Sequence, residues 1–404
     1  MNTSIDKALQ NLSLVESERE LRECYDQAVS ELGNGDLRIR DALVELLKRR
    51  CLGPVAEPAQ ELLAAESYYN ENLNWLCGQV KAAQELWKTS LLRTLALRLD
   101  EPVTVSCLFH TFEEGESSVQ RRCLSSLSAG LSQENVRVGM KRIIETEGLE
   151  RNLLMDAIRT LAPIASDVWT QELLLSTSAS EDHSIGNRCS EVLEKADKTE
   201  QLRLRLEEAA SSPSRNTRRC AARSLARWIP NSPATREVFY RLFEDSDNLV
   251  RGDAADSFYR KLENETVVDE LLEILKDKSR SVDVRVSAAR ALKSGLGQDR
   301  IRQVYAEVYT NEEDCSLLQE WMISFDFYTG GKPVLIEELL AQLANPASPF
   351  KFRRMAINSI TRGIHFDNSL PSRLQEIYRT LEADSELATE FESAFQCAKI
   401  PLED

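Results

Sequence analysis

Histidine is almost missing from this sequence: His110, His183 and His365 are the only three in 404 residues, and they stand far apart. None belongs to an H-E-x-x-H pattern or another two-ligand spacing, so the residue types that hold a metal are nowhere gathered along the chain. There is no G-x-x-x-x-G-K-[ST] phosphate loop and no G-x-S-x-G elbow. The nine cysteines are scattered and include no Cys-x-x-Cys pair, which argues against a disulfide framework or a redox motif. Glycine (15) and proline (12) are too few for long irregular loops, and aromatics make up only 6%. No stretch approaches the ~18 apolar residues of a membrane span. Residues 1–10 lack the basic and apolar regions of a secretory signal. These absences lead to a cytoplasmic protein with no cofactor, no metal and no membrane partner. Carboxylate pairs such as Glu113–Glu114 and Glu207–Glu208 occur among 66 acids and read as solvated faces.

The sequence does have a repeat. Residues 284–292 read VRVSAARAL, 250–258 VRGDAADSF, 217–225 TRRCAARSL and 352–360 FRRMAINSI. The shared nine-residue frame is apolar or Thr, Arg, two variable, two small or apolar, one variable, small, large apolar. Weaker copies begin at Ile39, Trp87, Val119, Leu153, Ile185, Leu317 and Leu387. From Trp87 onward, successive starts lie 32, 34, 32, 32, 33, 34, 33, 35 and 35 residues apart. Frame positions 1, 5, 8 and 9 share one face of a 3.6-residue helix, and they carry the large apolar and small residues. Small residues at 5 and 8 let a neighbouring helix come close. Cys123, Cys189 and Cys220 fall at these small or apolar places and are expected as buried, reduced thiols. The rest of each period supplies another helix, for example Val238 to Phe243, Val267 to Lys276, Ile301 to Val308 and Val334 to Leu343. Polar and Pro-containing joins, as at Asp245–Asn248, Asp277–Ser281 and Asn345–Pro349, separate them. Two helices per period, stacked side by side, make an α-solenoid.

The small-residue helix, its Arg at position 2 (Arg40, Arg218, Arg251, Arg285, Arg353) and the acidic turn before it (Asp245 to Asp247, Asp277 to Asp283) resemble HEAT repeats, with a period close to the short bacterial variety. Gln120, Leu154, Gly186 and Leu318 replace that Arg in degenerate units. The resemblance implies an all-α, right-handed α-α superhelix of about 11 helical hairpins. The expected organisation is an N-terminal cap and irregular first repeat over 1–86, regular repeats over 87–362, and a C-terminal repeat with an acidic cap over 363–404. The interval from Ile39 to Trp87 is 48 residues, longer than the period, and contains Pro54, Pro58, Tyr68–Tyr69 and Trp75. It reads either as a degenerate half-repeat acting as a cap or as an insertion on the binding face.

With 66 acidic residues against 50 Lys and Arg, the formal charge is −16, which repels phosphate backbones at long range. Against that background, 209–230 holds five arginines and no acid. In the common frame, Arg122 and Arg188 take position 4; Arg159, Arg223 and Arg290 take position 7; Arg227, Arg260 and Arg362 take position 11. Those positions share one flank of the helix, which the family resemblance puts on the concave surface. Arginine suits bidentate capture of carboxylate or phosphate. Three uses stay open: an anionic peptide or acidic protein partner, nucleic acid, or a lattice pairing these arginines with Asp156, Glu191, Asp253 and Asp256. Trp169, Trp228 and Trp321 read as core residues. The sequence therefore points to a non-enzymatic protein-interaction scaffold. The alternative is a HEAT-type enzyme or subunit, such as an alkyl-base DNA glycosylase or a bilin lyase.

Overall fold

The computed structural model describes residues 3–50, 54–66, 70–83, 85–310, 317, 339–341, 343–346, 348, 350–363, 369–381 and 385–398. Every regular element among the described residues is a helix, as the repeat predicts. The chain falls into two compact units, Met1–Lys198 and Thr199–Asp404.

In the first unit, six helix pairs follow one another: Thr3–Leu12 with Glu18–Leu32, Leu37–Arg49 with Ala56–Glu66, Asn70–Ala82 with Glu85–Ala96, Pro102–Glu114 with Ser117–Leu127, Glu134–Ile144 with Arg151–Thr160, and Val168–Thr177 with His183–Leu193. In the second unit the pairs are Glu200–Ala209 with Arg215–Leu225, Pro233–Leu242 with Asn248–Asp256, and Glu265–Lys276 with Val282–Leu292. Asp299–Thr310, Phe350–Gly363, Leu370–Tyr378 and Glu386–Ala398 come after them. Within each unit the helices of a pair pack together, and so do the second helices of successive pairs.

The frame explains that packing. In the repeat starting at Val284, Val284, Ala288, Ala291 and Leu292 are buried; so are Thr217, Ala221, Ser224 and Leu225 in the one starting at Thr217. A serine at position 8 can add a bond: Ser126 Oγ donates to Leu92 O (3.2 Å) and Ser257 Oγ to Ala222 O (3.3 Å), each reaching position 6 of the preceding second helix. Three residues before the frame stands the helix cap. Ser214, Asp247 and Ser281 accept from the amides of Thr217, Val250 and Val284. Cys123, Cys189 and Cys220 are buried as expected, and burial pushes the Cys123 thiol up to about 12.

The position-2 arginine has a repeated task, closing the turn inside its own pair. Arg218 donates to Ser212 O and Pro213 O, Arg251 to Asp245 O and Ser246 O, Arg285 to Leu275 O, and Arg353 to Leu343 O. These acceptors lie at or just past the C-terminal end of the first helix, where carbonyls have no intrahelical donor. Arg285 is only 4% exposed and its Nε lies 3.0 Å from Leu275 O. Arg285→Ala should cost about 1–3 kcal/mol, the range for stranding a buried acceptor. Arg285→Lys should not restore it, because a point ammonium lacks the planar fork. Urea melts of the two variants check this; full rescue by Lys would refute the clasp.

The long interval after Ile39 resolves differently from either expectation. Leu37–Arg49 is a first helix: it packs on Thr3–Leu12 and on Ala56–Glu66, and the latter packs in turn on Glu85–Ala96 as one second helix on the next. The frame of this pair therefore begins at Val55 (VAEPAQELL), 32 residues before Trp87. Val55, Ala59 and Leu63 are buried where the frame requires. Pro58 and Gln60, inside the frame, disguise it in the sequence. Trp75 lies under the Arg40 guanidinium, 4.0 Å from its ring centroid. Tyr68–Tyr69, most of the helix expected over Val334 to Leu343, and most of the repeat begun at Leu317 lie outside the described residues.

Candidate functional site: an arginine–carboxylate ladder

The arginines singled out in the sequence sit on second helices or in the turns that end them, and most are engaged with acids. In the first unit Arg122 donates to Thr89 Oγ1, Arg159 pairs with Asp156 (3.2 Å) and Arg188 with Glu191. In the second unit Arg223 pairs with Asp253 (2.8 Å), and Arg290 with Asp256 through two bonds of 2.8 and 2.5 Å. All four acids named in the sequence as possible partners take up that role. Arg227 stacks over Trp228 (4.3 Å), which is itself buried as a core residue. The side chain of Arg362, together with Trp321 and His365, lies outside the described residues. Trp169 is half-buried. His110 pairs with Glu114 at 3.1 Å.

Two ladder members escaped sequence reasoning. Arg121 pairs with Asp156 at 3.1 Å, and Arg219 with Asp253 at 2.5 Å. Both join position 3 of one repeat to position 4 of the next, 35 and 34 residues on. Their signal was present: an arginine at 3 followed one period later by an acid at 4. Position 3 lies outside the flank that positions 4, 7 and 11 share. Asp253 consequently serves two arginines, Arg219 and Arg223.

A second group of ion pairs ties first helices and turns in the same unit. Arg236, 5% exposed, donates to Glu270 at 2.7 and 2.9 Å and to Ile229 O, and the Tyr240 hydroxyl donates to Glu270 at 2.5 Å. Burial opposes ionisation of Glu270, but the bonds from Arg236 and Tyr240 outweigh it and hold its carboxyl below the usual range. Asp245 behaves likewise: burial raises it, and Arg218, at 2.6 and 2.8 Å, more than compensates. A carboxyl lower in the folded than in the unfolded chain stabilises above its unfolded pKa, about 4, and that stability is lost as pH falls through the folded value. Thermal stability of the second unit should therefore fall steeply as pH drops below about 4. Glu270→Gln with Asp245→Asn should flatten the slope. An unchanged slope in the double variant would remove these two groups from the acid response.

Recesses open between successive repeats. In the first unit a recess of about 670 Å³ lies between Pro102–Glu114 and Glu134–Ile144, with Phe109 packed over Gly139. A Cβ at Gly139 would come within 2.0 Å of the Phe109 ring, so glycine is what lets the ring lie there. In the second unit a recess of about 350 Å³ is lined by Ala255, Asp256, Tyr259, Arg290, Ala291 and Lys293 among others. Among the described residues, no group of three His, Cys, Asp or Glu side chains is arranged to hold a metal ion. Among the same residues, no helix is long and apolar enough to cross a membrane.

Residues 202–293 match the family of HEAT repeats, so the resemblance read from the sequence holds. A comparison with curated proteins finds no match. Among solved structures, Kap121p is similar in fold, with a TM-score of 0.50 at 12% identity, covering 98% of this chain and 49% of that one. The same values hold for the karyopherin Kap121p bound to the extreme C-terminus of the protein phosphatase Cdc14p. The chain thus spans about half the length of these structures, and at this identity the likeness shows the fold, an all-helical HEAT-repeat solenoid.

Proposed function

We propose that this chain is a non-enzymatic scaffold that holds a protein or peptide partner on the face formed by its second helices, the concave face of such arrays. Residues 87–362 would supply the regular repeats, the pair framed at Val55 one more, and the rest of 1–86 with 363–404 the ends. The observation that carries the reading is the ladder itself. Arg159, Arg188, Arg223 and Arg290 are each matched to an acid, and the pairs Arg159–Asp156 and Arg290–Asp256 remain open to solvent. A face of alternating, partly exposed charge suits recognition of a polar protein surface, where complementarity sets specificity more than affinity. Kap121p, similar in fold, has been solved holding a protein tail, which supports a like use here. The −16 charge favours a protein over nucleic acid.

Cross-linking in the native cell, followed by mass spectrometry and reconstitution with the purified partner, tests this. One protein should cross-link repeatedly to second helices and bind the purified chain. Cross-links confined to first helices would overturn the choice of face. A chain that binds no protein but turns over a small molecule or a nucleic acid would overturn the scaffold.

A further inference from the structure

Arg260 has the backbone conformation least expected of it. Its φ is +60°, the only positive φ of a non-glycine residue among the described residues. It stands at the end of the turn that closes Asn248–Asp256, with Tyr259 N bonded to Asp256 O (3.0 Å) and Lys261 N to Phe258 O (2.9 Å). Glycine commonly fills a left-handed residue just past a helix end, because a Cβ is unfavourable there. A side chain kept in such a place raises the question of what it serves, since backbone strain gathers at functional sites.

The Arg260 guanidinium lies 5.2 Å from the ring centroid of Tyr259. Among the described residues, no carboxylate lies within ion-pair distance of Arg260, although Arg159, Arg188, Arg223 and Arg290 each have one. Tyr259 is 50% exposed and is the only aromatic among the large exposed apolar side chains described. It lines the recess of about 350 Å³ whose floor is Ala255 and Ala291 and whose rim carries Arg290 and Lys293. The one acid on that rim, Asp256, pairs with Arg290 while about half-exposed (52%), and such a pair is readily exchanged for an incoming carboxylate. The recess thus joins an aromatic wall, buried small residues and two cations, Arg290 and Lys293, with one acid, and Arg260 stands beside its aromatic wall.

We propose that this recess binds an acidic segment of a protein partner. A carboxylate of the segment engages Arg260 and Arg290, and a neighbouring apolar side chain lies against Tyr259 over Ala255 and Ala291. The proposal rests on the scaffold reading and narrows it to a partner chemistry and a place. An exposed aromatic beside arginine is also the composition found at interface hot spots.

The full chain is panned against a displayed random-peptide library, and enriched peptides are resynthesised and measured by fluorescence anisotropy. Enriched sequences should carry Asp or Glu next to a large apolar residue, and binding should weaken with salt. Arg260→Glu and Tyr259→Ala should each lower affinity by about tenfold or more, the loss expected of a hot-spot contact. Arg260→Gly provides the control for folding: it relieves the left-handed strain, so the melting temperature should hold or rise while affinity falls. A lower melting temperature with affinity intact would assign Arg260 to structure and overturn the site. Enriched peptides without acids, or indifferent to all three changes, would overturn the site and leave the scaffold standing. Preferential, Arg260-dependent binding of a single-stranded oligonucleotide would replace the peptide with nucleic acid. If no peptide is enriched from any library and no protein cross-links in the cell, the scaffold reading itself falls, and this site with it.

Discussion

Phe258→Ala should destabilise the second unit by about 3–5 kcal/mol, the range for truncating a fully buried phenylalanine. Phe258 fills position 9 of its frame and has no exposed surface. Its ring meets Phe239 edge-on at 5.4 Å, Phe243 at 5.8 Å and Tyr240 at 6.4 Å, so four aromatics from one helix pair share a single cluster. The same position is leucine in the repeats starting at Trp87, Val119, Leu153, Ile185, Thr217 and Val284, and phenylalanine again at Phe395. Because stability in a repeat array is nearly a sum over units and nearest neighbours, the damage should begin locally. Amide exchange should accelerate first in Pro233–Leu242 and Asn248–Asp256. A loss below about 1 kcal/mol would mean that the ring is not the centre of this core.

Asp253→Ala should have a comparable effect by a different route. The Asp253 carboxylate is 14% exposed and meets Arg219, which is 10% exposed, at 2.5 Å. Removing it leaves a largely buried guanidinium without its counter-charge, which costs about 3–5 kcal/mol for a buried pair. Arg223 is 28% exposed and keeps access to water, so its share should be small. Replacing both partners by apolar residues, Asp253→Leu with Arg219→Met, should recover much of the loss, since desolvating the charges offsets most of their attraction. Urea midpoints of the single and double variants decide it. Equal losses in the two would show that packing around Asp253, and not its charge, is what matters.

How far the sequence speaks varies from residue to residue. The frame was legible because its constraint is steric: Ala254 and Ala288 must be small for one second helix to lie on the next, and that demand recurs every period. It failed at Ile39, where an apolar helix of the right pattern belongs to the first place in its pair. The true frame at Val55 was hidden by Pro58, tolerated because it lies in the first turn of its helix. The acid partners of Arg188, Arg223 and Arg290 were legible by register. The rungs at Arg121 and Arg219 were not, because they depend on how far a position-3 side chain reaches across to the next helix. Nothing in the letters around Tyr259 announces a left-handed Arg260; backbone sign is a property of the closed turn alone.

The arginine clasp at position 2 also bears on how such a chain can change over generations. Its carbonyl partners lie within ten residues and inside the same hairpin: Arg218 with Ser212, Arg251 with Asp245, Arg285 with Leu275. A duplicated or deleted stretch of one period therefore carries these carbonyl bonds with it, although Arg218 and Arg251 also pair with Asp245 and Asp283 of the repeat that follows. The rungs between arginines and acids have no such independence. Arg219 needs Asp253 in the next repeat, and Arg290 needs Asp256 in the one before. Recombination can thus lengthen or shorten the array freely, while every new junction must re-establish its charge pairing by point mutation.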